Sequence, residues 1–111
     1  MEVGHKFTGD ILIINLFGEL FSEQAVFLDY KLMELITQSD KIIINCQDLE
    51  YVDSKGLGVL IKVLNHVNEQ GGKMLFCSVT GKVKKLFDLT RLDRFIHVYT
   101  DLEQAIAQFK T

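Results

Sequence analysis

The feature that most constrains the fold is a run of strand-forming residues that leads, through a short acidic segment, into a helical repeat. Three consecutive isoleucines lie within the run Lys41–Cys46, which is typical of a strand covered on parts of both faces. The acidic segment opens the stretch Asp48–Leu60. Apolar residues then recur at helical spacing and form one stripe, namely Leu57, Leu60, Ile61, Leu64 and Val67. The pattern predicts a strand, a loop over 47–53 and a helix from about Ser54 to Glu69.

Ser54 occupies the predicted start of that helix, where a serine side chain can accept a hydrogen bond from the first-turn amides. Gly56 and Gly58 follow within the first turn, although each glycine in a helix costs roughly 0.5–1 kcal/mol relative to alanine. Two such residues in so short a stretch indicate that something approaches the backbone closely. The neighbouring strand is one candidate, and a partner protein that contacts the chain around Ser54 is the other.

Composition argues against several classes of function. The 111 residues carry a net charge of -3 with no long basic run, which argues against nucleic-acid binding. No apolar run approaches the ~20 residues that span a bilayer, and residues 1–6 lack the pattern of a signal peptide. We therefore expect a single cytoplasmic domain over residues 1–111, without a membrane partner. Cys46 and Cys77 are expected to be reduced core residues rather than a disulfide.

Patterns along the chain predict an α/β fold with the order β-β-α-β-α-β-α-β-α. The alternation in residues 3–7 indicates an edge strand, and a turn at Thr8–Asp10 joins it to a strand over Ile11–Leu16 in an antiparallel hairpin. Strand–helix–strand units require crossover connections and favour parallel pairing. We expect one mixed sheet covered by a single wide layer of helices, which would leave its other face partly open.

The first helix is predicted to follow Gly18–Leu20, a segment that we expect to turn the chain out of the sheet. Ser22 is a candidate N-cap, and Glu23 in the first turn complements the helix dipole. Apolar residues follow at helical spacing in a broad band, which predicts a helix pressed firmly against the sheet. The main predicted stripe is Val26, Phe27, Tyr30, Met33 and Thr37, and Leu28, Leu32, Leu35 and Ile36 widen it.

The residues offer little support for an enzyme. His5, His66 and His97 are widely spaced, without a helical His/Glu pair, so we expect no metal site. No Ser/His/Asp or Cys/His set stands at credible positions, and Gly56–Gly58 lacks the spacing of a phosphate-binding loop. We therefore expect neither catalytic residues nor a cofactor. A loose basic group near the third predicted helix is either a solvated face or a partner-selecting surface, and consists of Lys82, Lys84, Lys85, Arg91 and Arg94.

Four motifs resemble those of bacterial anti-sigma factor antagonists, which are single STAS domains. Asp53–Gly58 is similar to the Asp-Ser-Ser/Thr-Gly-Leu-Gly signature of that family, and Gly18–Leu20 is similar to its Gly-Glu-Leu/Ile motif. Gly71–Lys73 resembles its Gly-Gly turn, and Val83–Leu92 resembles its Val-x-x-Leu-Phe-x-x-x-x-Leu helix and turn. The motifs occur in family order across nearly the whole chain. The resemblance implies the STAS fold, with a mixed four- to five-stranded sheet and about four helices.

The resemblance also implies a partner switch in bacterial signal transduction and transcription regulation. The unphosphorylated protein would bind an anti-sigma serine kinase of the histidine-kinase-like ATPase fold and so release the sigma factor, or other client, that the kinase sequesters. The kinase would phosphorylate Ser54, and a metal-dependent serine phosphatase would restore the hydroxyl. The docking surface expected from the sequence comprises Asp48, Glu50, Tyr51, Asp53, Ser54, Lys55, Gly56, Leu57 and Gly58.

Two residues depart from the family pattern. Lys55 replaces a small or hydroxyl residue and adds a positive charge beside Ser54. Phe21 replaces a residue that is often aspartate. Either departure could change the choice of partner. The alternative function is a STAS sensory or scaffolding module that assembles into a larger signalling complex without a sigma-factor client.

Overall fold

The computed structural model describes residues 2–110, which form a five-stranded mixed sheet with helices on both faces. The strands are β1 (Glu2–Thr8), β2 (Ile11–Leu20), β3 (Lys41–Val52), β4 (Lys73–Cys77) and β5 (Val98–Tyr99). The helices are α1 (Ser22–Leu35), α2 (Ser54–Glu69), α3 (Gly81–Leu89) and α4 (Leu102–Gln108), with short 3-10 helices at Ile36–Gln38 and Leu92–Arg94. β1 pairs antiparallel with β2, and the remaining neighbours are parallel in the order β2-β3-β4-β5. The predicted element order and the opening hairpin are confirmed.

The two central strands are longer than the sequence pattern predicted. β2 and β3 stay paired as far as Leu20 and Val52, across two shifts in register. The expected loop over 47–53 and the expected turn at Gly18–Leu20 are therefore wrong, because both segments continue as strand up to Val52 and Leu20. Gly18 lies at one of the register shifts with a φ of 90°, a conformation that glycine adopts at no steric cost.

Successive isoleucines of β3 point to opposite faces of the sheet and belong to two separate cores. Ile42 and Ile44 lie in the larger core, together with most of the buried residues of α1, α2 and α3. Ile43 lies in the smaller core, together with Ala105 of α4. The expected single layer of helices is therefore wrong, because α4 covers the second face. Both faces of the central strand are buried, as the isoleucine run predicted.

Helix α1 buries a different stripe from the main one that helical spacing predicted. Val26, Phe27 and Tyr30, which were expected in the core, are exposed. Apolar residues occupy most of the circumference of α1, so their spacing alone does not decide which stripe meets the sheet. The buried stripe is Ala25, Leu28, Leu32 and Leu35. Apolar side chains therefore remain on the outer face of α1.

Helix α2 has the bounds that the sequence pattern predicted, Ser54–Glu69. Gly71 follows it with a φ of 81°, in the left-handed conformation that commonly ends helices. No helix formed by residues 2–110 combines the length and the apolar character needed to cross a membrane.

Cys46 and Cys77 are free thiols in the interior. Burial raises the pKa of Cys46 far above its ordinary value, so this thiol stays protonated. The expectation of reduced core cysteines is confirmed.

Candidate functional site

Asp53 is the residue that caps helix α2. Its Oδ1 accepts a hydrogen bond from the amide of Gly56 at 2.9 Å, and its Oδ2 accepts from the amide and the hydroxyl of Ser22 at 2.8 and 3.0 Å. These bonds, foremost the one from Gly56, hold the pKa of Asp53 below its usual value, because each favours the charged carboxylate. The expectation that Ser54 and Ser22 cap their helices is wrong. One carboxylate binds the first turn of both helices instead.

Ser54 is the first residue of α2, and its side chain is exposed. It stands at the end of the helix where the first-turn amides lack partners within the helix and the helix dipole is positive. Lys55, the next residue, is exposed as well. Ser54 is thus exposed at a place where added negative charge is stabilised.

The two glycines of the first turn serve different purposes. A Cβ atom on Gly56 would lie 2.6 Å from Cγ of Leu20 and 2.9 Å from Cγ2 of Val52, so only glycine fits between α2 and the ends of β2 and β3. A Cβ atom on Gly58 would meet nothing within 4 Å, and this residue is exposed. Close approach of the neighbouring strands explains Gly56, whereas Gly58 leaves open space at the surface.

The remaining residues of the predicted docking surface fall into two groups. Asp48 and Glu50 at the end of β3 are exposed, and Tyr51 is half-buried. Leu57 is buried in the larger core, and Gly56 is buried beneath the helix. Gly56 and Leu57 therefore support the surface from below, and contact of a partner with the expected docking surface stays a prediction. The site presents Asp48, Glu50, Ser54, Lys55 and Gly58 at its surface, with Tyr51 and Asp53 partly covered.

An open groove of about 610 Å³ adjoins the end of β3. Phe21 and Tyr51 line it with rings whose centroids are 5.2 Å apart, at an interplanar angle of 41°. Residues 80–82, from the N-cap into the first turn of α3, form another part of the wall. The rest of the lining is Glu19, Gln47, Leu49 and Glu50. Local sequence patterns give no sign of this groove, because its walls come from distant segments. Its signal is topological, since clefts of α/β proteins form at the carboxyl ends of parallel strands.

The chemistry open to the site follows from its groups. It presents an exposed hydroxyl on Ser54 and, next to it, the ionised carboxylate of Asp53, which is engaged in hydrogen bonds. Among residues 2–110, no group of three or more His, Cys, Asp or Glu side chains is placed to hold a metal ion. The site thus combines one exposed residue with a hydroxyl and one carboxylate that is already hydrogen-bonded.

A family model described as the STAS domain matches residues 4–105. The chain belongs to the STAS domain family. The anti-sigma-B factor antagonist of Bacillus subtilis is 31% identical over 93 residues, which cover 84% of this chain and 85% of that relative. The anti-sigma F factor antagonist of Paenibacillus polymyxa is 28% identical, over 90% of this chain and 87% of that relative. This STAS domain is thus grouped with the anti-sigma factor antagonists.

A solved structure of a similar protein shows the same architecture. The crystal structure of a Thermotoga maritima protein assigned to the anti-sigma factor antagonists matches with a TM-score of 0.91 at 27% identity, over 98% of this chain and 95% of that one. The predicted STAS fold, with its mixed sheet and four helices, is therefore confirmed.

The structure also places the two departures from the STAS family pattern. Lys55 is exposed directly after Ser54, so a positive charge lies at the surface near the start of α2. Phe21 immediately precedes Ser22 and lies against Tyr51. An aromatic ring therefore occupies a position where the pattern often has a carboxylate, which makes this side of the STAS domain less acidic and more apolar.

Proposed function

We propose that this STAS domain is an anti-sigma factor antagonist that works as a cytoplasmic partner switch. In its unphosphorylated form it binds an anti-sigma serine kinase of the histidine-kinase-like ATPase fold, and this binding releases the sigma factor, or other client, that the kinase holds. Phosphorylation of Ser54 ends the binding, and a metal-dependent serine phosphatase restores it. The domain is then a ligand and a substrate of other proteins and not itself an enzyme.

The observation that carries this proposal is the exposed position of Ser54 at the first residue of α2, directly after the residue that caps the helix. Because Asp53 supplies the cap, modification of the hydroxyl leaves the helix start in place. In the transfer, the Ser54 oxygen attacks the γ-phosphorus of kinase-bound ATP, the bond to ADP breaks, and the hydroxyl proton passes to a base of the kinase. The phosphatase adds water to the phosphoserine and releases inorganic phosphate.

The charge of the product accounts for the switch. A phosphoserine carries about 1.5 to 2 negative charges. At Ser54 these charges add to a surface that already includes Asp53 and the exposed Asp48 and Glu50. Repulsion between these charges and the nucleotide phosphates that the kinase holds nearby should remove roughly 3–4 kcal/mol of binding free energy. Because about 1.4 kcal/mol corresponds to a factor of ten, this loss weakens binding several hundredfold. Partners can therefore be exchanged without a change of fold.

Mass spectrometry of the protein after incubation with ATP and each serine kinase of this class from the same genome tests the proposal. We expect one phosphoryl group, on Ser54, from a kinase that binds the unmodified protein. Ser22 provides the matched control, because it is also exposed and also the first residue of its helix. The Ser22→Ala variant should still be phosphorylated, whereas Ser54→Ala should not. Transfer to Ser22, or no transfer with any such kinase, would contradict the proposal, and the second result would favour a scaffolding module.

A further inference from the structure

The sheet ends on two very different edge strands. β5 is only two residues long, whereas β1 spans the seven residues Glu2–Thr8. β1 pairs with β2 along its whole length without a shift in register, and the protein contains no proline. Short strands, prolines and bulges are among the features that keep an edge strand from pairing with another chain. β1 has none of these three, so it is an open edge to which a further strand can add.

Every second residue of β1 directs its backbone N–H and C=O groups away from β2. Thr8 and Ile11 flank a two-residue turn, and the residues that flank such a turn are hydrogen-bonded to each other. Bonded positions alternate along the strand, so the backbone groups of Val3, His5 and Phe7 point outward. Among residues 2–110, no backbone hydrogen bond outside the β1–β2 pair involves these three residues.

The side chains along this open edge are partly apolar. Phe7 is 47% exposed, and Val3 is half-buried against the larger core. Both lie on one face of the sheet, with His5 between them, because alternate residues of a strand share a face. On the other face, Phe17 of β2 is 36% exposed, and its Cε2 lies 3.5 Å from the position that a Cβ atom on Gly4 would take. Aromatic rings therefore border the edge on both faces.

We propose that β1 is a self-association surface on which β1 of a second copy of this chain pairs antiparallel, about a two-fold axis at His5. The two five-stranded sheets then become one continuous sheet. Such a contact is closed, since each copy uses the same edge and no open β1 edge remains for a third copy. All seven residues of β1 are paired in this arrangement, and the outward backbone groups form three hydrogen-bonded residue pairs.

Side-chain chemistry favours a second copy as the occupant. Val3 of each copy lies opposite Phe7 of the other, so each partly exposed ring is covered by an aliphatic side chain. Glu2 of one copy is a diagonal neighbour of Lys6 of the other, at about 7–8 Å, which long side chains can bridge. Opposite charges therefore meet at two places across the contact. Lys6 lies opposite Gly4 of the other copy, where its ammonium can approach the ring of Phe17.

The neighbouring registers fit the strand less well. Only shifts by two residues keep the outward backbone groups paired with one another. A shift in one direction places Lys6 opposite Lys6, and like charges directly opposite each other are destabilising. A shift in the other direction places Gly4 opposite Gly4 and leaves Phe7 without an opposite residue among residues 2–110. The register centred on His5 is therefore the one that pairs the whole strand without a like-charge contact.

Sedimentation equilibrium of the whole protein tests the inference. Seven residues from each copy form a smaller contact than the ~800 Å² per partner of a stable complex, so we expect a dissociation constant of about 10–100 μM. Phe7→Lys places a charge opposite Val3 and should raise this constant at least about tenfold. Leu89→Lys is the matched control, because Leu89 is 82% exposed on α3, which follows β4 at the other side of the sheet. Its dissociation constant should stay within about twofold of the wild-type value.

Disulfide formation tests the register. In His5→Cys the two new thiols lie opposite each other with Cα atoms about 5.5 Å apart, a separation that a disulfide spans. In Thr8→Cys the two new residues lie about 20 Å apart along the paired strands. Mild oxidation should therefore give a covalent dimer of His5→Cys and not of Thr8→Cys, because the native Cys46 and Cys77 are buried.

The outcomes are independent of the proposed function. A wild-type protein that stays monomeric at about 500 μM would overturn the inference. A dimer that Phe7→Lys leaves intact, or that Leu89→Lys dissociates, would overturn it as well. Equal cross-linking of His5→Cys and Thr8→Cys would contradict the pairing about His5. None of these results would alter the proposed role of Ser54, which lies at the start of α2 and outside β1.

Discussion

The carboxylate of Asp53 accepts two hydrogen bonds from Ser22, at 2.8 Å from its amide and 3.0 Å from its hydroxyl. With its other oxygen it caps α2 through the amide of Gly56. One side chain thus fixes the first turns of α1 and α2 relative to each other. The surface on which Ser54 stands is held in place by this contact between two helices rather than by either helix alone.

Replacement of Asp53 by alanine should destabilise the fold. The Asp53→Ala variant loses the cap of α2 and both hydrogen bonds from Ser22, so amides in two first turns lose their acceptor. We expect the melting temperature, followed by circular dichroism, to fall by about 4–8 °C. A serine at this position can cap α2 but is too short to reach Ser22. Asp53→Ser should therefore recover part of the lost melting temperature. An unchanged melting temperature in Asp53→Ala would show that the contact does not contribute to stability.

The same carboxylate should make the stability of the fold depend on pH. The amide of Gly56, and then the hydroxyl and amide of Ser22, hold the pKa of Asp53 below its usual value. Such a group stabilises the folded state above the unfolded-state pKa of about 3.9, and this contribution is lost as the pH falls through the lower folded-state pKa. We therefore expect the melting temperature of the wild type to fall more steeply below about pH 4 than that of Asp53→Asn.

Asp10 supplies the control for this pH dependence. A hydrogen bond from Lys41 lowers the pKa of Asp10 too, but the two side chains form an exposed ion pair. Exposed ion pairs contribute little to stability, so Asp10→Asn should remove less of the acid sensitivity than Asp53→Asn does. Equal acid sensitivity in the wild type and Asp53→Asn would contradict the prediction.

Alanine at the two glycines of α2 should change stability in opposite directions. In Gly56→Ala the new methyl group would lie 2.6 Å from Cγ of the buried Leu20, and the required displacement should cost about 1–3 kcal/mol in the free energy of unfolding. Gly58→Ala has open space and a lower unfolded-state entropy, so the free energy of unfolding should rise by about 0.4–1 kcal/mol. Urea denaturation measures both changes, and a destabilised Gly58→Ala would contradict the geometry.

Most of the fold could be predicted from the sequence, because the spacing of apolar residues indicates the strands and helices and many of their buried positions. Ile42–Ile44 indicate a central strand buried on both faces, and that strand is β3. The orientation of α1 could not be predicted in the same way. Val26 and Tyr30 recur at helical spacing just as Leu28 and Leu32 do, and only the tertiary contacts decide which pair is buried.

The candidate site could be predicted in its position but not in the roles of its residues. The motif Asp53–Gly58 marks the start of α2 correctly. Whether Asp53 or Ser54 caps α2 depends on which residue begins the helix. The apolar pattern is the same for either start, so the sequence does not decide between them. The hydrogen bonds from Ser22 join residues that are 31 positions apart, so no local pattern contains them.

Ser54→Ala should stay bound to the kinase and lose almost no stability. Because Asp53 caps the helix, removal of the hydroxyl should change the free energy of unfolding by less than about 0.5 kcal/mol, as other exposed substitutions do. Ser54→Asp places a negative charge at the positive end of α2, which also leaves the fold intact. The same charge should weaken kinase binding by about a hundredfold through repulsion at the docking surface.

Urea denaturation and titration calorimetry separate these two properties of the Ser54 variants. If the phosphorylated protein unfolded at a far lower urea concentration than the unmodified one, the added charge would act by loosening the start of α2 and not by repelling the partner. If Ser54→Ala bound the kinase no better than the phosphorylated protein, Ser54 would not be the switch residue. A surface switch requires that Ser54→Asp and the phosphorylated protein both keep a stable fold and both lose kinase binding. The fold should stay stable in each, because Asp53 keeps the helix start intact.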